Sequence, residues 1–187
     1  MNSPRWYVLY LRSRYEKRVH EELLRRGIES FLPTTIEIRQ WSDRKKKVEA
    51  PLFPGYDFVR IELSQKLRVL EVDGVVKFVA IGSARPEPVP DEQIESLRLV
   101  IASPKTLRKE SPLNEGEVVR VKSGPFAGAQ GIVVRAKNST RVVISIEAIQ
   151  QAVSIEVAAG DVEHIGVKSE RAKQGEVGKQ GGGVPGF

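Results

Sequence analysis

Between Ser103 and Asn114 the chain runs SPKTLRKESPLN, with a proline toward each end, three cations and almost no apolar residues. Such a stretch has little to bury and reads as a linker. It separates two textures. Before it, segments with the period of a helix alternate with segments with the period of a strand; after it, only short β-branched runs occur, spaced by turn residues. The 187 residues are therefore expected to form two small cores rather than one large one. The expected organisation is a first domain over 1–102, a linker over 103–114, a second domain over 115–166 and a tail over 167–187.

The first domain opens on Trp6 to Leu11, WYVLYL, a short run of strand formers suited to the middle of a sheet. Ser13-Arg14-Tyr15-Glu16 then spells a capping box, so a helix is expected from there, with Tyr15, Val19 and Leu23 as its buried stripe, Leu24 beside them and Gly27 as its stop. Ile28 to Leu32 is extended up to Pro33. Thr34 to Trp41 alternates Ile36 and Ile38 with Glu37 and Arg39, the period of a strand with one wet face. Arg44, Lys45, Lys46 and Lys47 follow a turn at Ser42-Asp43, and Thr34 to Ala50 reads as a hairpin whose basic tip is a candidate nucleic-acid contact.

Ala50 to Val59, APLFPGYDFV, feeds a fixed turn into a strand. Pro51 and Pro54 stiffen the backbone, and Phe53 and Tyr56 are expected partly exposed on it, where a large ring loses little entropy on meeting a partner. Beyond the strand Tyr56 to Ile61, Leu63, Leu67 and Leu70 keep helical spacing, and Val75 to Ile81 is strand-like. Asp91 is expected to cap a last helix with Ile94, Leu97 and Ile101 on its buried face. This order of elements predicts an α+β domain, a mostly antiparallel sheet with helices on one side.

After the linker, Val118 to Val121, Ile132 to Val134, Val142 to Ile146 and Ala152 to Val157 are four short strands. Fewer than sixty residues of such strands bury a core best as a small all-β barrel. From Val167 to Phe187 the composition falls to Gly, Lys, Gln and Glu, which predicts a disordered tail.

Catalytic chemistry is not visible. The chain holds two histidines and no cysteine, which excludes a disulfide framework and thiolate metal sites. No cofactor, metal site or enzymatic activity is expected. No apolar run approaches the roughly twenty residues of a membrane span, so a cytoplasmic protein with no membrane partner is expected. Thirty Lys plus Arg against 24 Asp plus Glu leave a net charge of +6, which makes a polyanion a plausible neighbour.

In the second domain, Glu115 to Gly131 reads EGEVVRVKSGPFAGAQG. Gly124, Pro125, Phe126, Gly128 and Gly131 form a tight reversal with a ring at its crest, and the segment resembles the KOW motif. Taken with Trp6-Tyr7, the helix after them, Pro51-Leu52-Phe53-Pro54-Gly55-Tyr56 and Gly74-Val75-Val76-Lys77-Phe78-Val79, it resembles the NusG family of transcription elongation and antitermination factors, in the family's order from about residue 5 to 165. The pattern is similar to the specialised RfaH and UpxY type within that family.

The resemblance implies an N-terminal NGN domain followed by an SH3-like KOW barrel, in a monomer. It implies that Tyr7, Phe53, Tyr56 and Phe78 form a depression for the clamp helices of the largest catalytic subunit of RNA polymerase. Gln65, Lys66, Leu67 and Arg68 would face the polymerase gate loop and the non-template DNA strand. The second domain would contact a small-subunit ribosomal protein or termination factor Rho through Ile144 to Val153, where Glu147-Ala148-Ile149-Gln150 stands in place of the aromatic residue of housekeeping members. A second reading is an RNA-binding or ribosome-associated KOW protein whose barrel face carries Arg120, Lys122, Arg135 and Lys137.

Overall fold

The computed structural model describes residues 3–41, 44–80, 85–103, 107–110, 116–136 and 139–168. Strand β1 (Arg5–Leu11) lies inside a four-stranded sheet ordered β2-β5-β1-β6, where β2 is Glu29–Phe31, β5 Tyr56–Ile61 and β6 Val75–Phe78. All its pairings are antiparallel. One face packs on helix α1 (Glu16–Arg25) and on α2 (Lys66–Leu70), burying Tyr7, Leu9, Leu11, Val19, Leu23, Val59, Ile61, Val69 and Phe78. The other face buries Trp6, Val8, Phe53 and Phe58 under Ile94, Leu97 and Val100 of α3 (Asp91–Ala102).

The helices differ from expectation at their starts. Ser13 and Glu16 make no capping box: Tyr15 is the capping residue, and the Glu16 carboxylate accepts the Gly55 N–H at 2.9 Å. Gly55 stands at φ +82° with its amide turned toward α1, and this tertiary donor takes the carboxylate that would otherwise have served the helix's own first turn. Leu24 is 50% exposed and outside the stripe. In α2 the buried residue is Val69, while Leu67 points to solvent. Asp91 is the first residue of α3, after Pro90, and it pairs with Arg60 at 3.7 Å.

Gly74 closes the turn into β6 at φ +101°, and a Cβ there would lie 2.5 Å from Tyr15 Cδ1 and 2.8 Å from Val19 Cγ2. Gly74→Ala is expected to destabilise the N-terminal half by about 2 kcal/mol or more, from backbone strain and overpacking together. Urea titration followed by circular dichroism measures it; an unchanged midpoint would show that α1 shifts freely.

The expected hairpin forms, as β3 (Thr34–Gln40) paired with β4 (Lys45–Pro51) in a two-stranded sheet of its own. Its apolar residues are not covered. Ile36 is 62% exposed and Ile38 67%, because among the described residues no second layer packs over them.

The C-terminal half is a six-stranded antiparallel sheet ordered β12-β8-β9-β10-β11-β7. Its strands are β7 (Arg108–Glu110), β8 (Gly116–Val121), β9 (Gln130–Ala136), β10 (Ser139–Ile146), β11 (Gln151–Val157) and β12 (Val162–Lys168). Two of them were not anticipated. β7 lies within the expected linker and pairs with β11 through Lys109↔Val153, satisfying an edge that would otherwise stand open. β12 takes Val167 and Lys168 out of the expected tail, and Lys168 is ion-paired to Glu147. Residues 169–187 lie outside the described residues.

The two halves touch. Ser96 Oγ on α3 accepts the Gln130 N–H at 3.0 Å, and a Cβ on Gly128 would stand 3.4 Å from Leu99 Cδ1. One apolar cluster runs through Leu97 and Val100 into Val119, Phe126, Val142 and Ile144.

Candidate functional site

The residues expected to form one depression are distributed by the strand period over two faces of the sheet. In an antiparallel pair, residues directly opposite share a face. Tyr7 stands across from Val59, and Tyr10 across from Tyr56. Tyr7 and Phe78 accordingly meet edge-on at 6.3 Å on the α1 side, 5% and 6% exposed, and neither ring is available to a partner. Phe53 and Tyr56 belong to the other face.

Phe53 is also not exposed. The turn made by Pro51 and Pro54 folds back over the sheet, Leu52 N–H donates to Pro33 O at 2.8 Å, and Phe53 is driven inward to 1% exposure against Phe58, ring centres 6.4 Å apart. The expectation of an exposed Phe53 is therefore corrected: the stiff turn that was to display the ring closes it into the core.

What remains at the surface is Tyr56, half-buried, with Tyr10, 41% exposed. Their ring centres lie 5.7 Å apart. Leu11 N–H donates to Gly55 O at 2.8 Å, and the Glu16 carboxylate holds the Gly55 amide from the other side, so the turn beneath the two rings is bonded on both flanks. Sequence reading passed over Tyr10. Its signal was the alternation of Trp6, Val8 and Tyr10 along WYVLYL, with Tyr10 nearest the open end, but only the register with Tyr56 makes a pair of them. The result is a paired aromatic surface on a bonded turn, suited to an amphipathic helix.

Gln65 closes a 3₁₀ turn over Leu63–Gln65, and Lys66, Leu67 and Arg68 begin α2. Leu67 is 71% exposed. Lys66 Nζ lies 5.9 Å from the Phe78 ring centre, over the ring rather than in solvent. Arg68 donates to Arg26 O and Arg26 to Arg68 O, both at 3.3 Å, which ties this corner to the end of α1. The segment is a fixed knob rather than a free loop.

In the KOW turn, Gly124 and Gly128 take φ +80° and +95°, and a Cβ on Gly131 would lie 2.4 Å from Val143 O. The Phe126 ring is 2% exposed, in the core and not at a crest. Short strands leave this half few large apolar residues, and the ring joins Val121 and Ala129 in one buried cluster. Of the barrel cations, Arg120 pairs with Glu163 at 3.3 Å and Arg135 with Glu117 at 2.8 Å; Lys122 is exposed, and Lys137 lies outside the described residues. A cavity of about 340 Å³ opens at the seam between the halves, lined by Gln93, Gln130, Ile132 and Ser145 among others. Among the described residues no cluster of His, Cys, Asp and Glu is placed to hold a metal ion, and no helix is long and apolar enough to cross a membrane.

A buried polar chain lies on the α1 side. Asp57, fully buried, accepts the Phe58 N–H and the Ser30 hydroxyl, both at 2.8 Å, and Ser30 Oγ lies 2.7 Å from His20 Nδ1. Burial pushes the Asp57 carboxyl up to about 7 against the pull of both hydrogen bonds. Burial likewise lowers the His20 imidazole, opposed by Glu21.

Residues 4–98 match the family described as transcription termination factor nusG, and residues 115–145 match the KOW motif. The transcription termination/antitermination protein NusG of Pseudomonas aeruginosa is 28% identical over 176 residues, covering 87% of this chain and 99% of that protein. The NusG protein of Yersinia pestis is 31% identical over 178 residues, covering 86% and 96%. A solved structure described as domain interaction in Thermotoga maritima NusG aligns with a TM-score of 0.44 at 26% identity, over 87% of this chain and 98% of that one. With the family match spanning half of the chain and these relatives spanning nearly all of its described residues, this chain belongs to the NusG family of transcription termination and antitermination proteins.

Proposed function

We propose that the protein is an elongation and antitermination factor that docks on the clamp helices of the largest RNA polymerase subunit through Tyr10 and Tyr56. The observation that carries this is the pairing of the two rings, 5.7 Å apart on a turn bonded from both sides. Phe53, Tyr7 and Phe78 act beneath the surface, holding the sheet that presents the pair. The Leu67 knob faces the gate loop and the non-template strand. No bond is made or broken by the protein. By binding the closed, processive polymerase more tightly than the paused one, it shifts the population toward elongation.

The protein is read as a cytoplasmic monomer. The apolar side chains between Ile144 and Val153 are turned into the barrel core, with Ile144 at 1% and Val153 at 0% exposure, so the reading includes no contact to a ribosomal protein or to Rho through that segment. The pairing of Arg120 and Arg135 with acids supports the polymerase reading over RNA binding by the barrel.

Pull-down of purified RNA polymerase tests the proposal. A Tyr10→Ala, Tyr56→Ala variant is expected to keep its fold and lose most of its affinity, since each aromatic anchor typically contributes about 2 kcal/mol or more. A folded variant that captures polymerase as well as wild type would rule this docking surface out.

A further inference from the structure

The β3–β4 ribbon is a two-stranded sheet of its own. It belongs to neither larger sheet, yet it is firmly rooted: the Glu49 carboxylate accepts Lys17 Nζ at 2.7 Å and the Thr34 hydroxyl at 2.8 Å, and Leu52 N–H bonds Pro33 O across its base. Its far end is closed by Trp41 N–H to Arg44 O at 2.8 Å. Between residues 39 and 47 the sequence carries five cations and one acid. Lys45, Lys46 and Lys47 are exposed, and among the described residues no ion pair neutralises Lys45 or Lys47. Trp41 is 52% exposed, with Lys46 Nζ 5.6 Å from its ring centre.

A ribbon held at its root and charged at its end concentrates positive potential where a long polyanion can reach it. An exposed indole next to those charges adds a stacking surface that every base accepts. An acidic protein would use the charge but has no need of a flat ring beside it; a duplex buries its bases from the ring. From this juxtaposition we infer that the β3–β4 ribbon binds single-stranded nucleic acid, with Lys45, Lys46 and Lys47 contacting its phosphates from the two faces of the ribbon and Trp41 stacked on a base. The site is separate from the Tyr10–Tyr56 pair and does not depend on polymerase docking.

The test is fluorescence anisotropy of a labelled mixed-sequence single strand, and of the duplex of the same sequence, with the full chain over a salt series. Lys45→Gln, Lys46→Gln, Lys47→Gln together are expected to weaken single-strand binding at least about tenfold at low salt and to flatten the salt slope by about two, the share of three phosphates. Trp41→Ala is expected to weaken single-strand binding about tenfold and spare duplex binding, while Trp41→Phe retains most of it. Polymerase pull-down by the lysine variant should match wild type. An unchanged slope in the lysine variant would place the phosphate contacts elsewhere, for instance on the barrel cations, and overturn the inference. So would single-strand affinity that ignores Trp41, or loss of polymerase capture on Ile36→Ser, Ile38→Ser with oligonucleotide binding intact in the lysine variant, which would make the ribbon a protein interface.

Discussion

Phe53→Ala is expected to unfold the N-terminal half rather than to weaken docking selectively. The ring is 1% exposed and packs against Phe58 in the cluster that joins the sheet to α3. Truncating a buried phenylalanine costs about 3–5 kcal/mol, a large fraction of the roughly 5–15 kcal/mol that holds a typical domain together. The apolar cluster continues from α3 into the barrel, so loss of the sheet face also removes what the barrel leans on. Chemical denaturation by circular dichroism should show a midpoint far below that of the Tyr10→Ala, Tyr56→Ala variant. The two variants together separate architecture from contact: a Phe53→Ala protein with wild-type stability and lost polymerase binding would return that ring to the surface.

The second large effect is linked to pH. Asp57 holds its proton in the folded protein up to about pH 7, against 3.8 for an ordinary aspartate. Between those values the folded state binds more protons than the unfolded one, so the Asp57 contribution falls as pH rises from about 4 to 7 and stays low above that. His20 runs the other way. Its lowered value means that the unfolded chain takes up a proton first, and acidification below about 6.5 costs stability through that group. Asp57→Asn removes the Asp57 contribution and keeps that of His20. An amide preserves the acceptor for Phe58 N–H, and the Ser30 hydroxyl turns to accept from its NH₂. The variant is expected to be more stable than wild type at pH 8, by an amount on the order of 4 kcal/mol at most, with the gap closing toward pH 5. Urea midpoints at a series of pH values check this. Parallel curves for the two proteins would mean that Asp57 is solvated through openings of the sheet.

Local pattern carried most of the element types. WYVLYL became an interior strand, Val19 and Leu23 became the buried stripe of α1, and the β-branched runs after Glu115 became strands of the six-stranded sheet. Each of these follows from the side-chain period, which is a property of consecutive residues. The strands hardest to anticipate were β7 and the end of β12, whose pairing partners lie far away in sequence, on β11 and β8. Three residues in a polar stretch carry no pattern until an edge is offered to them.

The proposed docking surface was legible only in part. The stretch Ala50 to Val59 pointed to a turn and to Tyr56, which stays half-buried, but it also offered Phe53, which is buried, while Tyr10, which is exposed, was left out. Alternation reveals that a strand has two faces; it does not say which face another layer covers. That is decided by what folds over the sheet: α3 and the Pro51–Pro54 turn bury Phe53, and α1 buries Tyr7 and Phe78. In the β3–β4 ribbon the same alternation at Ile36 and Ile38 suggested a covered face, and among the described residues no layer arrives to cover it. Sequence spacing thus set which residues stand together on a face, while burial and exposure came from contacts between distant segments, whose free energy no local window contains.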